Sequence, residues 1–372
     1  MSGINAVWDL IQQGKSGNNI GTSTGLPKLD KIIGGVQQSR YYLVGAASSV
    51  GKTSFMLYMM YKMLRSASEE EPVYFLYYSL EIGQEVLLAK LMALYCAEEF
   101  GIYMTLNDVL SFETALSDEY VNYLEKARDW LISIEKYIQI IDTSVNSRSL
   151  YKTIIPFAEN LGYYEEINDK KVYFPNNPKQ KMIAIIDHLN LVQATEGRKL
   201  KEEIDLMSSY MVTVKRKYKI TWFALQQQNR ESSSMERRKA DMSEPGLNDL
   251  RDTASTSQDA DCVLQLFFPF REKLTSYRGY PILGDGGFKQ ILRSVVISKN
   301  RYGIANQVIS MAFYGSVGWW VELPKAHEIT DVSKYFEESD NIPCKQNINK
   351  IETEDVPENK SQEPINSFNF KF

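Results

Sequence analysis

The sequence predicts an α/β fold, a mostly parallel twisted sheet with helices on both faces, and three observations carry that expectation. From about Arg40 onward, short β-rich runs alternate with longer helical patterns. One of those runs, at 41–45, passes through a loop of small residues directly into an apolar helix. The composition of the 372 residues, 44% hydrophobic and 24% charged, suffices for a large core without disulfides or structural metals.

The elements follow in order. Ile4, Val7, Trp8 and Ile11 recur on one helical face, so a short helix is expected over 4–14, closed by Gly14. Its apolar stripe needs a cover, supplied either by the local core or by a neighbouring subunit. KSGNNIGTSTG follows, rich in Gly, Ser, Thr and Asn, so residues 1–20 read as linker helix and linker. The β-rich runs lie at 41–45, 73–80, 137–142, 182–187, 220–226, 262–268 and 293–299. Helical stretches lie at 52–65, 84–99, 117–135, 147–161 and 201–218. Residues 162–180 interrupt the alternation with two β-prone runs around an NDKK turn, an inserted hairpin. The body is therefore expected over 21–327. From 328 to 372 Asp, Glu, Asn, Ser and Pro dominate and periodicity disappears, the pattern of an acidic disordered tail ending in SFNFKF.

Charge sharpens that division. The formal net charge is -5, and residues 328–372 hold ten acidic residues against five lysines, leaving 37 of each sign in the rest. A neutral body excludes a polybasic nucleic-acid coat but not a locally basic channel, and the basic run 236–242 stands beside one candidate loop. Cys96, Cys262 and Cys344 are far apart and show no CxxC spacing, which argues against a disulfide framework or a four-cysteine zinc site. Neither a signal peptide nor about 18 consecutive apolar residues occurs, so a cytoplasmic protein without a membrane span is expected.

The strongest chemical signal is YYLVGAASSVGKTSF, a strand, a small-residue loop and Gly51-Lys52-Thr53 opening a helix. Only small residues let successive backbone N–H groups close around a polyphosphate at a helix N-terminus, with Lys on the β- and γ-oxygens and Thr on Mg²⁺. The first glycine of the strict motif is Ala46 here, because Gly45 comes one position early. Nucleotide contacts are expected from Ala46, Ser48, Ser49, Val50, Gly51, Lys52, Thr53 and Ser54. Two acidic residues end apolar strands nearby: Asp187 after MIAII, suited to Mg²⁺, and Glu81 after VYFLYYSL, suited to activating water. A third strand, TWFALQQQNR, ends in a glutamine run, where an amide can report a γ-phosphate. For Asp187 a strand-end helix cap, and for Glu81 an ordinary surface carboxylate, are the alternatives. His188 and His327 are the only histidines and suggest no zinc chemistry.

The order of motifs resembles the RecA-like motor domain of DnaB-type replicative helicases. STGLPKLDKIIGGVQQ resembles the family's lead-in, GAASSVGKTSF its phosphate loop and YYSLEIGQEVLLAKLMA its S-L-E motif. IIDHLNLVQ resembles the Walker B strand, ALQQQNR the L-S-Q-x-N-R motif, LNDLRDTASTSQDADCVLQL the DNA-loop segment and ISKNRYG the K-x-R-x-G motif. The resemblance covers 21 to about 322. It implies ATP and Mg²⁺ as cofactors, Thr53 and Asp187 as metal ligands, and Glu81, Lys52 and Gln227 as catalytic residues. Lys299 and Arg301 are then supplied to the neighbour's ATP within a hexameric ring. DNA contacts fall to a polar loop at Arg251, Asp252 and Ala254, where Ala254 stands in place of the family's glycine and Thr256-Ser257 in place of Ile-Glu.

The implied activity is ATP-dependent, 5′–3′ unwinding of forked DNA on single-stranded DNA, with primase, loader or single-strand-binding protein as partners. The amino-terminal domain of cellular relatives does not precede the motor, which suggests a phage or mobile-element enzyme. The first helix resembles the linker helix that docks on the next subunit. KNRYG also resembles RadA-type branch-migration proteins, so a recombinase-like ATPase is the alternative; a non-catalytic ATP-binding protein is a third. The tail is either solubilising or a docking peptide.

Overall fold

The computed structural model describes residues 3–15, 17, 19–229, 244–284 and 286–336. Helix α1 (Gly3–Lys15) precedes α2 (Pro27–Ile33), which Pro27 opens and Gly34, at φ 75°, closes. Strand β1 (Tyr41–Ala46) feeds α3 (Lys52–Ser66); β2 (Val73–Ser79) feeds α4 (Gln84–Phe100). The short α5 (Leu106–Val109) and α6 (Asp118–Ile134) lead to β3 (Ile138–Ile141) and α7 (Ser147–Asn160). The inserted hairpin is β4 (Gly162–Ile167) and β5 (Lys170–Pro175), whose turn residues Asn168 and Asp169 both have positive φ, as a tight two-residue turn requires. Next come β6 (Lys181–Asp187), α8 (Leu200–Tyr218), β7 (Thr221–Gln227) and β8 (Cys262–Phe267). A small ladder of β9 (Ser276–Tyr277) and β10 (Tyr280–Pro281) precedes β11 (Leu292–Asn300), β12 (Gln307–Tyr314) and β13 (Trp319–Glu322).

Nine strands form the main sheet in the order β13-β12-β11-β8-β1-β7-β6-β2-β3. From β8 to β3 every pair is parallel, whereas β11, β12 and β13 join antiparallel. Alternate residues of each central strand enter opposite cores. Tyr42, Val44, Phe223 and Tyr77 meet α3 and α4 on one face; Tyr41, Leu43, Trp222 and Ile186 meet α7 and α8 on the other. Cys96 and Cys262 are free and buried, and burial pushes their thiols up to about 11 and about 12. Cys344 lies outside the described residues.

One alternative left open by the sequence closes, and one boundary differs from the sequence reading. The stripe on α1 is not part of the chain's own core, since Ile4, Val7, Trp8 and Ile11 are all more than half exposed. The packed body also continues past 328. Short 3-10 turns at Ala326–Glu328 and Val332–Tyr335 carry it to Phe336, and Tyr335 lies 5.6 Å from Phe288, ring to ring. The remainder of the tail, 337–372, lies outside the described residues. Among those described, no helix is long and apolar enough to cross a membrane.

Glu203 ties three elements together at the start of α8. Its buried carboxylate accepts from Ser147 N at 2.6 Å, the N-terminus of α7, and from Thr195 N at 3.2 Å and Thr195 Oγ1 at 3.1 Å. Burial pushes the carboxyl up, but the hydrogen bonds from Ser147 and Thr195 outweigh it and hold the group at about 2. The unfolded chain binds this proton more readily, so the stabilisation is complete above the usual glutamate range and is lost as pH falls from there towards 2. Glu203→Gln is expected to cost about 2 kcal/mol at neutral pH and to flatten that part of the melting-temperature profile, as thermal melts of both proteins between pH 2 and 7 would show.

Candidate nucleotide site

Four adjacent parallel strands each bring one expected residue to their carboxyl ends. β1 ends in the loop before Lys52, β7 in Gln227, β6 in Asp187, and β2 runs into Glu81. This edge is where ligands bind in open α/β sheets, because helix N-termini and loop amides converge there.

The loop at 47–51 is shaped by its carbonyls. Ala46 O accepts from Gln228 N at 2.9 Å, Ser48 O accepts from the Arg271 guanidinium, and Val50 O accepts from Arg293 Nε at 3.1 Å. Across a trans peptide the following N–H points the opposite way, so those of Ser49 and Gly51 turn away from the two arginines. Ser49 has φ 59° and Gly51 φ 106°. Gly51 is required twice over: a Cβ there would stand 2.9 Å from Phe313 Cε1 and 3.0 Å from Trp320 Cζ2. Arg293 is buried, stacks 3.3 Å above the Phe268 ring, and burial pushes its pKa down to about 9. Sequence reasoning missed Arg271 and Arg293; an arginine opening the apolar run RSVVISK was the available sign.

Lys52 and Thr53 open α3. Burial lowers the pKa of Lys52, opposed by the charges of Asp187 and Glu81. Asp187 is 1% exposed, and burial raises its pKa against the Thr53 hydroxyl, the Lys52 ammonium and the Tyr77 hydroxyl, which donates to Oδ2 at 3.0 Å. Its Oδ1, also buried, has no hydrogen-bond partner. An orphaned carboxylate oxygen beside a threonine hydroxyl is the donor set a hard divalent cation takes, so these residues fit Mg²⁺. The turn that follows, Leu189–Leu191, has His188 at its N-cap position and no side-chain cap, so Asp187 is not a helix cap. Glu81 is half exposed; its Oε2 lies 3.8 Å from Nε2 of His188, which burial and then Lys52 push down to about 4 and keep neutral at neutral pH. Gln227 is exposed, with its backbone N–H held by Asn190 Oδ1 at 3.1 Å. Among the described residues no cluster of His, Cys, Asp and Glu could hold a further metal.

Lys299 and Arg301 are not brought to this edge. Because β11 is antiparallel, Lys299 pairs with Val263 and Asn300 with Cys262, at the start of β8. They sit at the amino edge, about 20 Å from the loop by the rise of six extended residues. There Arg301 Nη1 donates to Asp261 Oδ1 at 2.9 Å, and Lys299 Nζ donates to Ser257 O at 2.9 Å and Gln258 O at 2.7 Å. Arg251, Asp252 and Ala254, expected in an open polar loop, instead lie on helical backbone: Leu247–Thr253 forms two 3-10 turns kinked at Leu250 and continues into the helix Ala254–Asp259. The reason is local: Leu250 is buried against the sheet and Thr256 is 0% exposed, which winds the segment over β1 and β7. The basic run 236–242 and Arg230 lie outside the described residues.

Comparison with known proteins agrees with the fold. The chain is 28% identical over 312 residues to the replicative DNA helicase DnaB of Rickettsia typhi, covering 80% of this chain and 54% of that protein. Among solved structures, an isolated ATPase domain matches with a TM-score of 0.66 at 21% identity, covering 86% of this chain and 98% of that one. A DnaB-like replicative helicase matches with a TM-score of 0.67 at 21% identity, over 87% of this chain and 68% of that one. The chain spans about half the length of the curated relatives it matches. A profile of the DnaB-like helicase C terminal domain matches residues 21–320. With most of its length inside that match, and a RecA-like sheet carrying the phosphate loop, the chain belongs to the DnaB-like helicase C-terminal domain family.

Proposed function

We propose that this chain is the motor of a ring-shaped, ATP-dependent DNA helicase that unwinds forked duplex at replication, moving 5′–3′ along the strand it encircles. The observation that carries the reading is the division of the site: a phosphate loop, a carboxylate pair and Gln227 on one edge of the sheet, with the basic pair Lys299 and Arg301 on the other. Such a chain completes its site only against a second copy. A closed ring follows if the contact repeats by rotation, and six copies is the family's number.

The loop from Ala46 to Ser54 and Lys52 hold the triphosphate, Thr53 and Asp187 hold Mg²⁺, and Glu81 accepts a proton from the attacking water. Mg²⁺ bound there neutralises charge on the phosphate oxygens. Gln227 contacts the γ-phosphate, and Arg301 with Lys299 stabilises its developing charge from the next subunit. The segment of Arg251, Asp252 and Ala254 lines the channel for single-stranded DNA. Primase is the partner favoured by kinship, since a solved relative is described with its primase interactions; loader and single-strand-binding protein are further candidates. With a neutral body, encirclement rather than surface charge holds the DNA.

The test is unwinding of a forked duplex with an exposed 5′ tail, alongside micrographs taken with an ATP analogue and single-stranded DNA. Closed rings and ATP-dependent unwinding are expected. Filaments with strand exchange and no unwinding would instead support the recombinase-like alternative.

A further inference from the structure

Strand β7 ends in Gln226 and Gln227 and is followed at once by Gln228, and of the three only the middle one, Gln227, is exposed. Gln226 turns towards the helical segment over the sheet, donating to Leu250 O at 3.3 Å and accepting from Thr256 Oγ1 at 2.7 Å. Gln228 reaches sideways across β1 towards β8. Its Nε2 donates to Gln265 Oε1 at 2.9 Å, and Gln265 Nε2 donates in turn to Ser298 Oγ at 2.7 Å. Gln265 is 0% exposed in the otherwise apolar strand CVLQLF. An amide is costly to bury in such a place unless both its ends are satisfied, and here one end is met from just past β7 and the other by β11.

The chain of amides passes over Gly45, which pairs with Gln226 on one side and Gln265 on the other. A Cβ at Gly45 would stand 2.9 Å from Leu250 Cδ2 and 3.4 Å from Gln265 Oε1. The glycine one position early in the phosphate-loop motif is therefore clearance for Leu250, with the bridge in ordinary contact beside it. The far end of the bridge is equally specific. Ile297 pairs with Leu264 and Lys299 with the adjacent Val263, which leaves Ser298 as the extra residue of a β-bulge. Bulges redirect the side chains that follow them, and those that follow this one are Lys299 and Arg301.

We propose that Gln265 is a positioning residue: by bridging Gln228, beside Gln227, to the bulge at Ser298, it fixes the direction in which Lys299 and Arg301 leave β11 towards the nucleotide of the next subunit. This rests on the trans role of Arg301 proposed above. The bridge spans four neighbouring strands, β7, β1, β8 and β11, so it joins the strand that contacts the chain's own γ-phosphate to the strand that serves the neighbour's.

The test uses the full chain in four variants: Gln265→Leu, Ser298→Ala, the triple variant Gln228→Leu/Gln265→Leu/Ser298→Ala, and Arg301→Ala as control. Gln265→Leu strands two buried polar groups and is expected to melt lower. The triple variant removes every partner together and is expected to melt near the parent. All three bridge variants are expected to bind an ATP analogue within about threefold of the parent and to lose about tenfold in kcat for DNA-stimulated hydrolysis at nearly constant KM. A triple variant with the parent's kcat overturns the proposal, because the amides then only satisfy one another. So does a kcat that follows melting temperature across the set. If Arg301→Ala hydrolyses ATP normally, the trans reading beneath the proposal has failed; if Arg301→Ala is impaired while the triple variant is not, the proposal alone has failed.

Discussion

Replacing Arg301 by alanine is expected to lower kcat for ATP hydrolysis by the assembled, DNA-bound protein about a thousand-fold while leaving ATP-analogue binding nearly unchanged. The geometry forces the asymmetry. Within one chain Arg301 lies at the amino edge of the sheet, tied to Asp261 through its side chain at 2.9 Å and through its backbone N–H to Asp261 O at 2.8 Å. Asp261 is itself 2% exposed, accepts from Tyr41 N at 2.9 Å and is paired with Lys215, so it is fixed from behind. The Arg301 side chain is 44% exposed and reaches outward from that anchor. It cannot turn through the sheet to its own phosphate loop, but it can face a loop presented by a neighbour. Arg301→Lys is expected to recover little, since an ammonium lacks the planar, permanently charged fork. Mixing Arg301→Ala chains with Glu81→Gln chains separates cis from trans: about a quarter of the interfaces in random rings regain both groups and hydrolysis returns. Normal hydrolysis by Arg301→Ala alone would remove the trans role.

The parts of this site that were legible in the sequence are those that end strands. Asp187 closes an uninterrupted apolar run, Lys52 opens an apolar helix, and Glu81 and Gln227 follow runs whose partners are parallel and adjacent, so strand–helix alternation alone places them on one edge. α2 was not among the expected helices: Pro27 and Gly34 bracket it, but at seven residues it carries little periodicity. β12 and β13 are apolar and joined by a glycine-bearing turn, but an antiparallel edge is not what βα alternation anticipates. The partners of the loop were harder. Arg293 reaches Val50 from 243 residues away and Arg271 reaches Ser48 from 223, and no local spacing encodes such contacts. Gln265 is the intermediate case: a single amide inside CVLQLF is visible as an anomaly, but its partners come from β11 beside it and from just past the end of β7, two strands away.

Glu81→Gln is expected to lower kcat by a similar amount, about a thousand-fold, with ATP, Mg²⁺ and DNA binding retained. The substitution keeps the shape and removes only the proton acceptor, and the surroundings show why the shape is held. Leu80 N donates to Asp187 O at 2.8 Å and Ser79 Oγ donates to Ile82 O at 2.6 Å, so the turn carrying Glu81 is fixed to the strand that ends in Asp187. The two carboxylates then divide by burial. Asp187, 1% exposed with Oδ1 orphaned, suits a cation; Glu81, half exposed, is open to solvent, as the proposed proton acceptor from water needs to be. His188, the imidazole 3.8 Å from it, is neutral at neutral pH and so does not compete for its charge. A variant stalled before hydrolysis should hold ATP and therefore stay on single-stranded DNA longer than the parent, measurable as slower dissociation in the presence of ATP. Loss of hydrolysis together with loss of ATP binding would instead make Glu81 a structural group of the loop. Hydrolysis at the parent's rate would move the base to another residue and leave the division of labour between the two carboxylates without support.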